Sequence, residues 1–352
     1  MRLWSGTSSL PIGVDIGGRH IKAVQLRGSP GRWCISAAGR VLRNHPGGAV
    51  EGDDIVQLRY MLAGGSFKGK QVVLAVPSNQ LLTGIMEFPP RSSGAPLEQL
   101  ARNELSRMHC CEVGSFEMAC WDLPAPARAG HATYVMAAGF SHEQAGELMD
   151  LVEGGGLDVY ALDMHASAVL RACRRLLEGV TGIAAILHLG WEQTSLILVY
   201  QGVVVYERKL VKCGIDSIAN SLGRELKLHH DKAEYLIRQV GLSTECPDVE
   251  PVSCRVVNLA VTAYCETLVE EMRIPLSYLA NQYPDASPET LLLVGSGGRI
   301  PGFEQRLNST LDFCARTVLP GDIVQCSPDT VEQFGTSLTV ATGLAQFSER
   351  DQ

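Results

Sequence analysis

The stretch IGVDIGG at residues 12–18 runs into the apolar run IKAVQL at residues 21–26, and this pattern decides the fold class. Two β-type runs around glycines predict a strand, a tight turn and a second strand, because glycine lets backbone turn sharply and approach a ligand closely. The pattern recurs as AILHLG at residues 185–190 followed by TSLILV at residues 194–199. The two copies align without a gap, so the sequence contains an internal duplication.

Two such hairpins are suited to holding a polyphosphate. Backbone N–H groups in the turns at Gly17, Gly18 and Gly190 would donate hydrogen bonds to phosphate oxygens. Asp15, at the end of the first strand, would orient the hydrated Mg²⁺ that accompanies a polyphosphate, and the aligned residue in the second copy is His188. A β-bulge or a barrel corner gives the same short pattern, so one hairpin alone leaves a structural interpretation open.

A third glycine-containing segment strengthens the functional interpretation. The apolar run LLLV at residues 291–294 predicts a buried strand, and a glycine platform follows it directly. Such a platform can lie against a purine or a ribose, or it can simply permit close helix packing. The candidate cofactor-binding residues in this segment are Gly295, Ser296, Gly297 and Gly298.

The order of hairpin, hairpin and glycine platform resembles that of the actin-like ATPases. Within this superfamily the chain is most similar to the PilM family of type IV pilus assembly proteins, with FtsA as the next relative. Four further segments support the resemblance across most of the chain: LEQLARNE at 97–104, GLDVYALD at 156–163, GIDSI at 214–218 and ATGLA at 341–345.

The resemblance implies an α/β, actin-like (ribonuclease H-like) duplicated fold with two lobes around a nucleotide cleft. The first lobe would span residues 1–182, with a small inserted subdomain at approximately residues 81–155. The second lobe would span residues 183–334, with a peripheral helical subdomain at approximately residues 229–284. Residues 335–352 would form a closing helix that returns to the first lobe.

Local patterns predict the elements of the two peripheral subdomains. In the inserted subdomain we expect a helix at residues 96–108 and strands at residues 116–123 and 133–140. In the second half we expect a long helical stretch at residues 256–283. Pro275 lies inside that stretch, and a kink or break is expected there because proline removes a backbone donor.

The resemblance also implies roles for several charged residues. Lys22 would reach a phosphate, although a solvated lysine at a strand edge is the alternative. Asp163 would lend its carboxylate to the attacking water or the metal, or else it would cap the helix that starts near Ala166. Lys232 and Glu234 match the helix that contacts the base and ribose, but two residues at i and i+2 do not share a helix face. We therefore expect only one of them to contact nucleotide.

His188 is the main departure from the family pattern. ATP-hydrolysing relatives carry an aspartate there, and neutral imidazole is a poor ligand for hard Mg²⁺. The imidazole could still donate a hydrogen bond to a phosphate or act as a base. We therefore expect catalytic positions at Asp15, Asp163 and His188, a metal ligand at Asp15, and binding of ATP or ADP, with Mg²⁺ left open. Hydrolysis would be slow or absent.

The expected function is a cytoplasmic scaffold of a type IV pilus or a related secretion machine. By resemblance, a short N-terminal peptide of an inner-membrane PilN-like protein would dock beside the inserted subdomain and hold the chain at the membrane. Other pilus or secretion components would also bind, and self-association is left open. A small-molecule kinase of the same fold is one alternative, but His188 does not supply the aspartate base that it needs. An FtsA-like filament protein is another, but residues 346–352 are too short and polar to form its membrane-binding helix.

The amino-acid composition narrows the possible functions and partners further. The formal net charge of −8 argues against a nucleic-acid partner, which normally requires a basic surface. No apolar run approaches the roughly 20 residues that span a bilayer, and residues 1–6 lack the apolar core of a secretory signal. The 11 cysteines contain no C-x-x-C pair, which favours reduced thiols. These features agree with a cytoplasmic protein that reaches the inner membrane through a partner.

Overall fold

The computed structural model describes residues 10–77, 79–128, 130–243 and 246–348. The expectations about the two chain ends, at residues 1–6 and 346–352, therefore rest largely on residues outside the described ranges.

The chain divides into two compact units. The first unit comprises Met1–Arg175, Ile323–Thr330 and Leu338–Gln352, and the second comprises Leu176–Asp322 and Val331–Ser337. Each unit is described by itself below.

The first unit alternates strands and helices and begins with the first glycine hairpin. Its elements up to Arg175 are β1 Ile12–Ile16, β2 His20–Arg27, β3 Cys34–Leu42, α1 Gly52–Gly64, β4 Gln71–Ala75, β5 Leu82–Phe88, α2 Leu97–His109, β6 Phe116–Asp122, β7 Thr133–Ser141, α3 His142–Gly154, β8 Asp158–Asp163 and α4 His165–Cys173.

The second unit repeats the opening hairpin and then becomes largely helical. Its elements, followed by the helices of the returning chain, are β9 Ile183–Leu189, β10 Thr194–Tyr200, β11 Val203–Leu210, α5 Ile215–Leu226, α6 His230–Gln239, α7 Pro251–Gln282, β12 Pro288–Val294, α8 Phe303–Asn308, β13 Cys314–Thr317, α9 Pro320–Ile323, α10 Pro328–Phe334 and α11 Thr339–Ala345.

The main sheets of the two units have the same topology. One has the strand order β3-β2-β1-β4-β8, and the other has the order β11-β10-β9-β12-β13. In each sheet the first three strands pair antiparallel, and the remaining pairs are parallel. This equivalence confirms the duplication that the two hairpins predict.

Closely packed glycines hold the returning helix α11 against the first sheet. A Cβ on Gly13 of β1 would lie 2.1 Å from the carbonyl oxygen of Ala341. A Cβ on Gly343 would lie 1.8 Å from the carbonyl oxygen of Ala168 on α4. The opposite face of this sheet carries an apolar core in which β1 and β2 meet α1 and α3, including Ile12, Val14, Ile21, Ile55, Leu58 and Val152.

The inserted subdomain contains the predicted helix and strands. Its three strands form a separate sheet in the order β5-β7-β6, and α2 packs on this sheet through Ala101 and Leu105. The helix begins one residue later than predicted, because Pro96 occupies the N-cap position and Leu97 is the first helical residue. The two predicted strands match β6 and β7 to within one residue.

The long helix α7 contains Pro275, where a kink or break is predicted. The helix continues through this residue to Gln282, which excludes a break, and a kink there stays a prediction. Met272, Pro275 and Leu279 are all buried, and packing on both sides of the proline offsets the loss of one backbone donor. Among the described helices, only α7 is long and apolar enough to cross a membrane, but its buried residues belong to the core of the second unit.

Candidate functional site

The first hairpin contains a buried ion pair directly across its two strands. Asp15 on β1 pairs with Lys22 on β2, and the Lys22 Nζ atom lies 2.7 Å from Asp15 Oδ2. Both residues are only 6% exposed, so the alternative of a solvated Lys22 is wrong. Gly17 in the turn leaves room for the lysine, since a Cβ there would lie 3.3 Å from Nζ. The ammonium group therefore lies under the turn and beside the carboxylate.

Arg43 fixes the backbone of this turn. Its Nε atom donates to Asp54 Oδ2 at 3.0 Å, and both side chains are buried. Its Nη1 group lies 3.4 Å from the carbonyl oxygen of Gly17, and the N–H of Gly47 donates to the carbonyl oxygen of Gly18 at 2.8 Å. Sequence reasoning missed this support because no short motif links Arg43 to the turn.

The Asp163 carboxylate is held by hydrogen bonds within the first unit. Its Oδ2 atom accepts a hydrogen bond from Arg171 Nη1 at 2.8 Å, and the same nitrogen donates to the carbonyl oxygen of Gly343 at 2.9 Å. Its Oδ1 atom accepts from the backbone N–H of Met164. Helix α4 starts at His165 with Met164 as its N-cap, and that N-cap makes no side-chain capping bond. The predicted capping role is wrong, and the carboxylate instead joins β8, α4 and α11.

The second hairpin has a histidine and a serine where the first has the ion pair. His188 on β9 lies opposite Ser195 on β10. The imidazole packs against two glycines, because a Cβ on Gly295 would lie 2.9 Å from His188 Cδ2 and one on Gly190 would lie 3.7 Å from Cε1. The turn glycine and the first platform glycine thus make room for the imidazole.

A buried hydroxyl network supports the start of β10. Thr194 Oγ1 donates to the carbonyl oxygen of Cys213 at 2.5 Å, and the Tyr264 hydroxyl donates to the same oxygen at 2.9 Å. Burial raises the pKa of Tyr264, so the phenol stays neutral. Sequence reasoning missed this contact because Tyr264 belongs to α7, far along the chain from the hairpin.

The glycine platform is explained in part by packing. Gly295 has φ of +85°, a left-handed conformation that favours glycine. A Cβ on Gly297 would lie 2.5 Å from Ile215 Cδ1, and one on Gly298 would lie 3.0 Å from Thr336 Oγ1. Ser296 is partly exposed. The structure thus brings the platform, α5 and the second hairpin together, and contact of these residues with nucleotide stays a prediction.

Helix α6 begins beside the turn of the second hairpin. The rings of Trp191 in the turn and His230 in the first turn of α6 are 6.1 Å apart. On this helix Lys232 is exposed, whereas Glu234 accepts a hydrogen bond from Arg238 at 2.6 Å. That only one of the two residues contacts nucleotide stays a prediction.

Asp216 is a carboxylate at the second hairpin to which sequence reasoning gave no role. Its backbone N–H donates to the carbonyl oxygen of Trp191 at 2.9 Å, which places the residue at the turn. Burial raises the pKa of this carboxyl group, with the backbone of Ser217 and nearby His230 acting in the opposite direction. The available signal was an aspartate two residues after the glycine that precedes α5.

The residues predicted to form the site fall into two sets, one in each unit. Asp15, Gly17, Gly18 and Lys22 meet in the first unit. His188, Gly190 and the platform residues 295–298 meet in the second unit, and α6 carries Lys232 and Glu234 nearby. Among the described residues, no group of three or more His, Cys, Asp or Glu side chains could hold a metal ion. A Mg²⁺ ion bound here would take its ligands from water, nucleotide phosphates and at most one or two of these carboxylates.

Comparison with known proteins gives a family match over most of the chain. The model of the type IV pilus assembly protein PilM family matches residues 13–348. Comparison with curated protein sequences gives no match.

Three solved structures share the fold. The PilM-PilN type IV pilus biogenesis complex contains a chain with 23% identity and a TM-score of 0.77, and the match covers 95% of this chain and 97% of that one. The ethanolamine utilization protein EutJ from Carboxydothermus hydrogenoformans has 14% identity, a TM-score of 0.55 and coverage of 97% and 91%. MreB 5 of Spiroplasma citri bound to AMPPNP has 10% identity, a TM-score of 0.56 and coverage of 98% and 97%.

Proposed function

This chain belongs to the PilM family of type IV pilus assembly proteins and has the actin-like ATPase fold, and from this premise we propose that it is a nucleotide-binding scaffold with slow or absent ATP hydrolysis. The proposed nucleotide is ATP or ADP, and the proposed phosphate-binding residues include the turn glycines Gly17, Gly18 and Gly190. One solved relative of the same fold is described as bound to AMPPNP, which supports a nucleotide as the ligand.

The environment of His188 supports slow or absent hydrolysis. The imidazole lies against Gly190 and Gly295, and Ser195 opposite it is uncharged. An imidazole does not hold a hydrated Mg²⁺ ion as a carboxylate does. The same absence of a carboxylate at this position disfavours the small-molecule kinase, which needs an aspartate base.

The environment of Asp15 also supports slow or absent hydrolysis. Its Oδ2 atom is bonded to the Lys22 ammonium group, so a metal ion would have to compete with a buried cation for this carboxylate. If the lysine instead turned towards a phosphate, it would leave Asp15 to the metal. The ion pair therefore supports a resting state in which the charges of Asp15 and Lys22 balance each other.

We also propose that a short peptide of a PilN-like inner-membrane protein docks at the inserted subdomain, which would hold the chain at the cytoplasmic face of the membrane. The solved relative with the highest TM-score given above is a PilM-PilN complex, and this supports the class of partner. The subdomain has room for a ligand in a cavity of about 830 Å³ between α2 and its sheet, lined by Arg91, Pro96, Leu97, Glu98, Gln99, Arg102, Cys120 and Val135.

Calorimetric titration with ATP, with Mg²⁺ and again with EDTA, tests nucleotide binding, and phosphate release measures turnover. We expect binding in at least one condition, with turnover close to background. His188→Asp should raise turnover by about tenfold or more, since it restores a carboxylate that orients metal and water. Rapid Mg²⁺-dependent turnover in the unmodified chain, lost in Asp15→Ala, would contradict the proposal. Absence of binding in both conditions would make the protein a nucleotide-free adaptor.

The docking proposal is tested separately with a synthetic peptide that copies the N-terminal residues of the PilN-like protein. Fluorescence anisotropy of the labelled peptide should show saturable binding, and Arg102→Glu should weaken it. Glu147→Gln on α3 provides a control outside the cavity. Equal binding by both variants would move the docking site away from this cavity.

A further inference from the structure

Asp216 is held against the turn of the second hairpin by backbone bonds. The N–H groups of Ile215 and Asp216, the first two residues of α5, donate to the carbonyl oxygens of Gly190 and Trp191 at 3.1 Å and 2.9 Å. Gly214 permits this close approach, because a Cβ there would lie 2.2 Å from the carbonyl oxygen of Glu192 in the turn. The backbone of Asp216 is therefore a fixed neighbour of the turn, and its Oδ1 atom lies beside Gly214.

The Asp216 carboxylate forms no ion pair within the described part of the chain. The side chain is partly buried, and that burial raises the pKa of the carboxyl group. His230 and Tyr264 are titratable groups near Asp216, and the His230 ring in the first turn of α6 lies 6.1 Å from the ring of Trp191 in the hairpin turn. A carboxylate that loses water without gaining a cation is costly unless a ligand supplies the charge.

The other acidic candidates are already engaged. Asp15 is bonded to Lys22 at 2.7 Å, and Asp163 is bonded to Arg171 at 2.8 Å. A Mg²⁺ ion bound to nucleotide phosphates keeps several waters and needs only one or two protein carboxylates. Asp216 meets that requirement at the turn where His188 does not.

We propose that Asp216 is the residue of the second hairpin that faces the hydrated Mg²⁺ ion of a bound ATP–Mg²⁺ complex. The inference rests on the nucleotide binding proposed above. Its direct consequence is that Mg²⁺ strengthens ATP binding through Asp216. Without metal, the same carboxylate repels the phosphates, since like charges at close range disfavour binding.

The test is calorimetric titration of the full chain with ATP, in Mg²⁺ and in EDTA, for the unmodified protein, Asp216→Asn and Asp285→Asn. Asp285 is an exposed aspartate in a turn of the second unit and serves as the control. We expect Mg²⁺ to tighten ATP binding by about tenfold in the unmodified chain and the control, and by about twofold or less in Asp216→Asn. In EDTA, Asp216→Asn should bind ATP as tightly as the unmodified chain or more tightly.

Two outcomes overturn the inference while leaving nucleotide binding intact. One is a full Mg²⁺ effect in Asp216→Asn. The other is an equal loss of affinity with and without Mg²⁺, which would give Asp216 a purely structural role. Absence of ATP binding in the unmodified chain would overturn both the inference and the proposed function. Asp216→Glu keeps the charge and should retain part of the Mg²⁺ effect, and matching melting curves would verify the folding of each variant.

Discussion

The first and second hairpins share a backbone and differ in what stabilises it. Each joins two antiparallel strands through a turn that contains glycine, at residues 17–20 and 190–193. The residue pair beyond each turn is Asp15 with Lys22 in the first unit and His188 with Ser195 in the second. A buried aspartate–lysine ion pair in one copy thus corresponds to a histidine and a serine in the other.

The supporting contacts differ in the same way. Arg43 and Asp54 form a second buried ion pair beneath the first turn. The second hairpin instead depends on the hydroxyl groups of Thr194 and Tyr264 and on close packing at Gly295. Duplication preserved the strand pairing, but buried ion pairs stabilise one copy, and hydroxyl hydrogen bonds with close packing at Gly295 stabilise the other.

Breaking the ion pair of the first hairpin should have the largest effect. Lys22→Met leaves Asp15 buried without its cation, and we expect a loss of about 3–5 kcal/mol in the free energy of unfolding. Urea denaturation followed by circular dichroism measures it. The double variant Asp15→Asn/Lys22→Met removes both charges and should recover at least half of the loss. A loss below about 1 kcal/mol in Lys22→Met would show that the pair is not buried in solution.

A methyl group at Gly295 should destabilise the second hairpin because it would collide with neighbouring atoms. Gly295→Ala combines a left-handed backbone with a Cβ 2.7 Å from the carbonyl oxygen of Leu189, and we expect a loss of about 2–4 kcal/mol. Gly202→Ala is the matched control, since Gly202 has φ of +80° and open space around it. That control should lose only about 1–2 kcal/mol. Equal melting temperatures for the two variants would refute the packing argument.

Removing one hydroxyl from the second hairpin should have a smaller effect. Tyr264→Phe deletes the hydrogen bond to the carbonyl oxygen of Cys213, which still accepts from Thr194. We expect a loss of about 1 kcal/mol in the free energy of unfolding by urea denaturation. Tyr235→Phe changes an exposed tyrosine in the same unit and should have almost no effect. A loss as large as that of Lys22→Met would mean that the two hairpins do not differ as described.

The sequence predicted those features of the two hairpins that depend on residues close together in the chain. A strand, a short turn and a second strand place residues seven apart opposite each other, so Asp15 and Lys22 were predictable neighbours. The duplicated sheet followed from the repeated pattern for the same reason. Asp163 was the local exception, because the pattern suggested a helix cap and Arg171, about two turns further on, took its carboxylate.

The missed contacts connect segments that lie far apart in sequence. Tyr264 reaches Thr194 from a helix of another subdomain, and Asp216 reaches the turn only because α5 packs on it. At Pro275 the local pattern predicted an interruption of the helix. Burial of the residues on both sides of the proline outweighed its local cost in a helix. Tertiary packing determines these positions, and a single sequence does not give it directly.

An unpaired carboxylate in the second unit provides the smallest predicted effect. Glu207 lies on β11, and its Oε1 atom is buried without a hydrogen-bond partner. Burial raises the pKa of Glu207, with Lys209 acting in the opposite direction. A raised pKa in the folded state means that folding favours the protonated acid. The ionised form therefore costs stability above the folded pKa, and this cost disappears as pH falls through that value towards the unfolded pKa of about 4.3.

Glu207→Gln should accordingly stabilise the protein at pH 8, by less than about 1 kcal/mol, with a gain that shrinks as the pH approaches 4. Urea denaturation at several pH values measures this, and Glu225→Gln, at an exposed position on α5, should show no such trend. A pH-independent gain would assign the effect to packing. A loss at pH 8 would show that Lys209 pairs with Glu207 and that the second unit, like the first, relies on a charge pair.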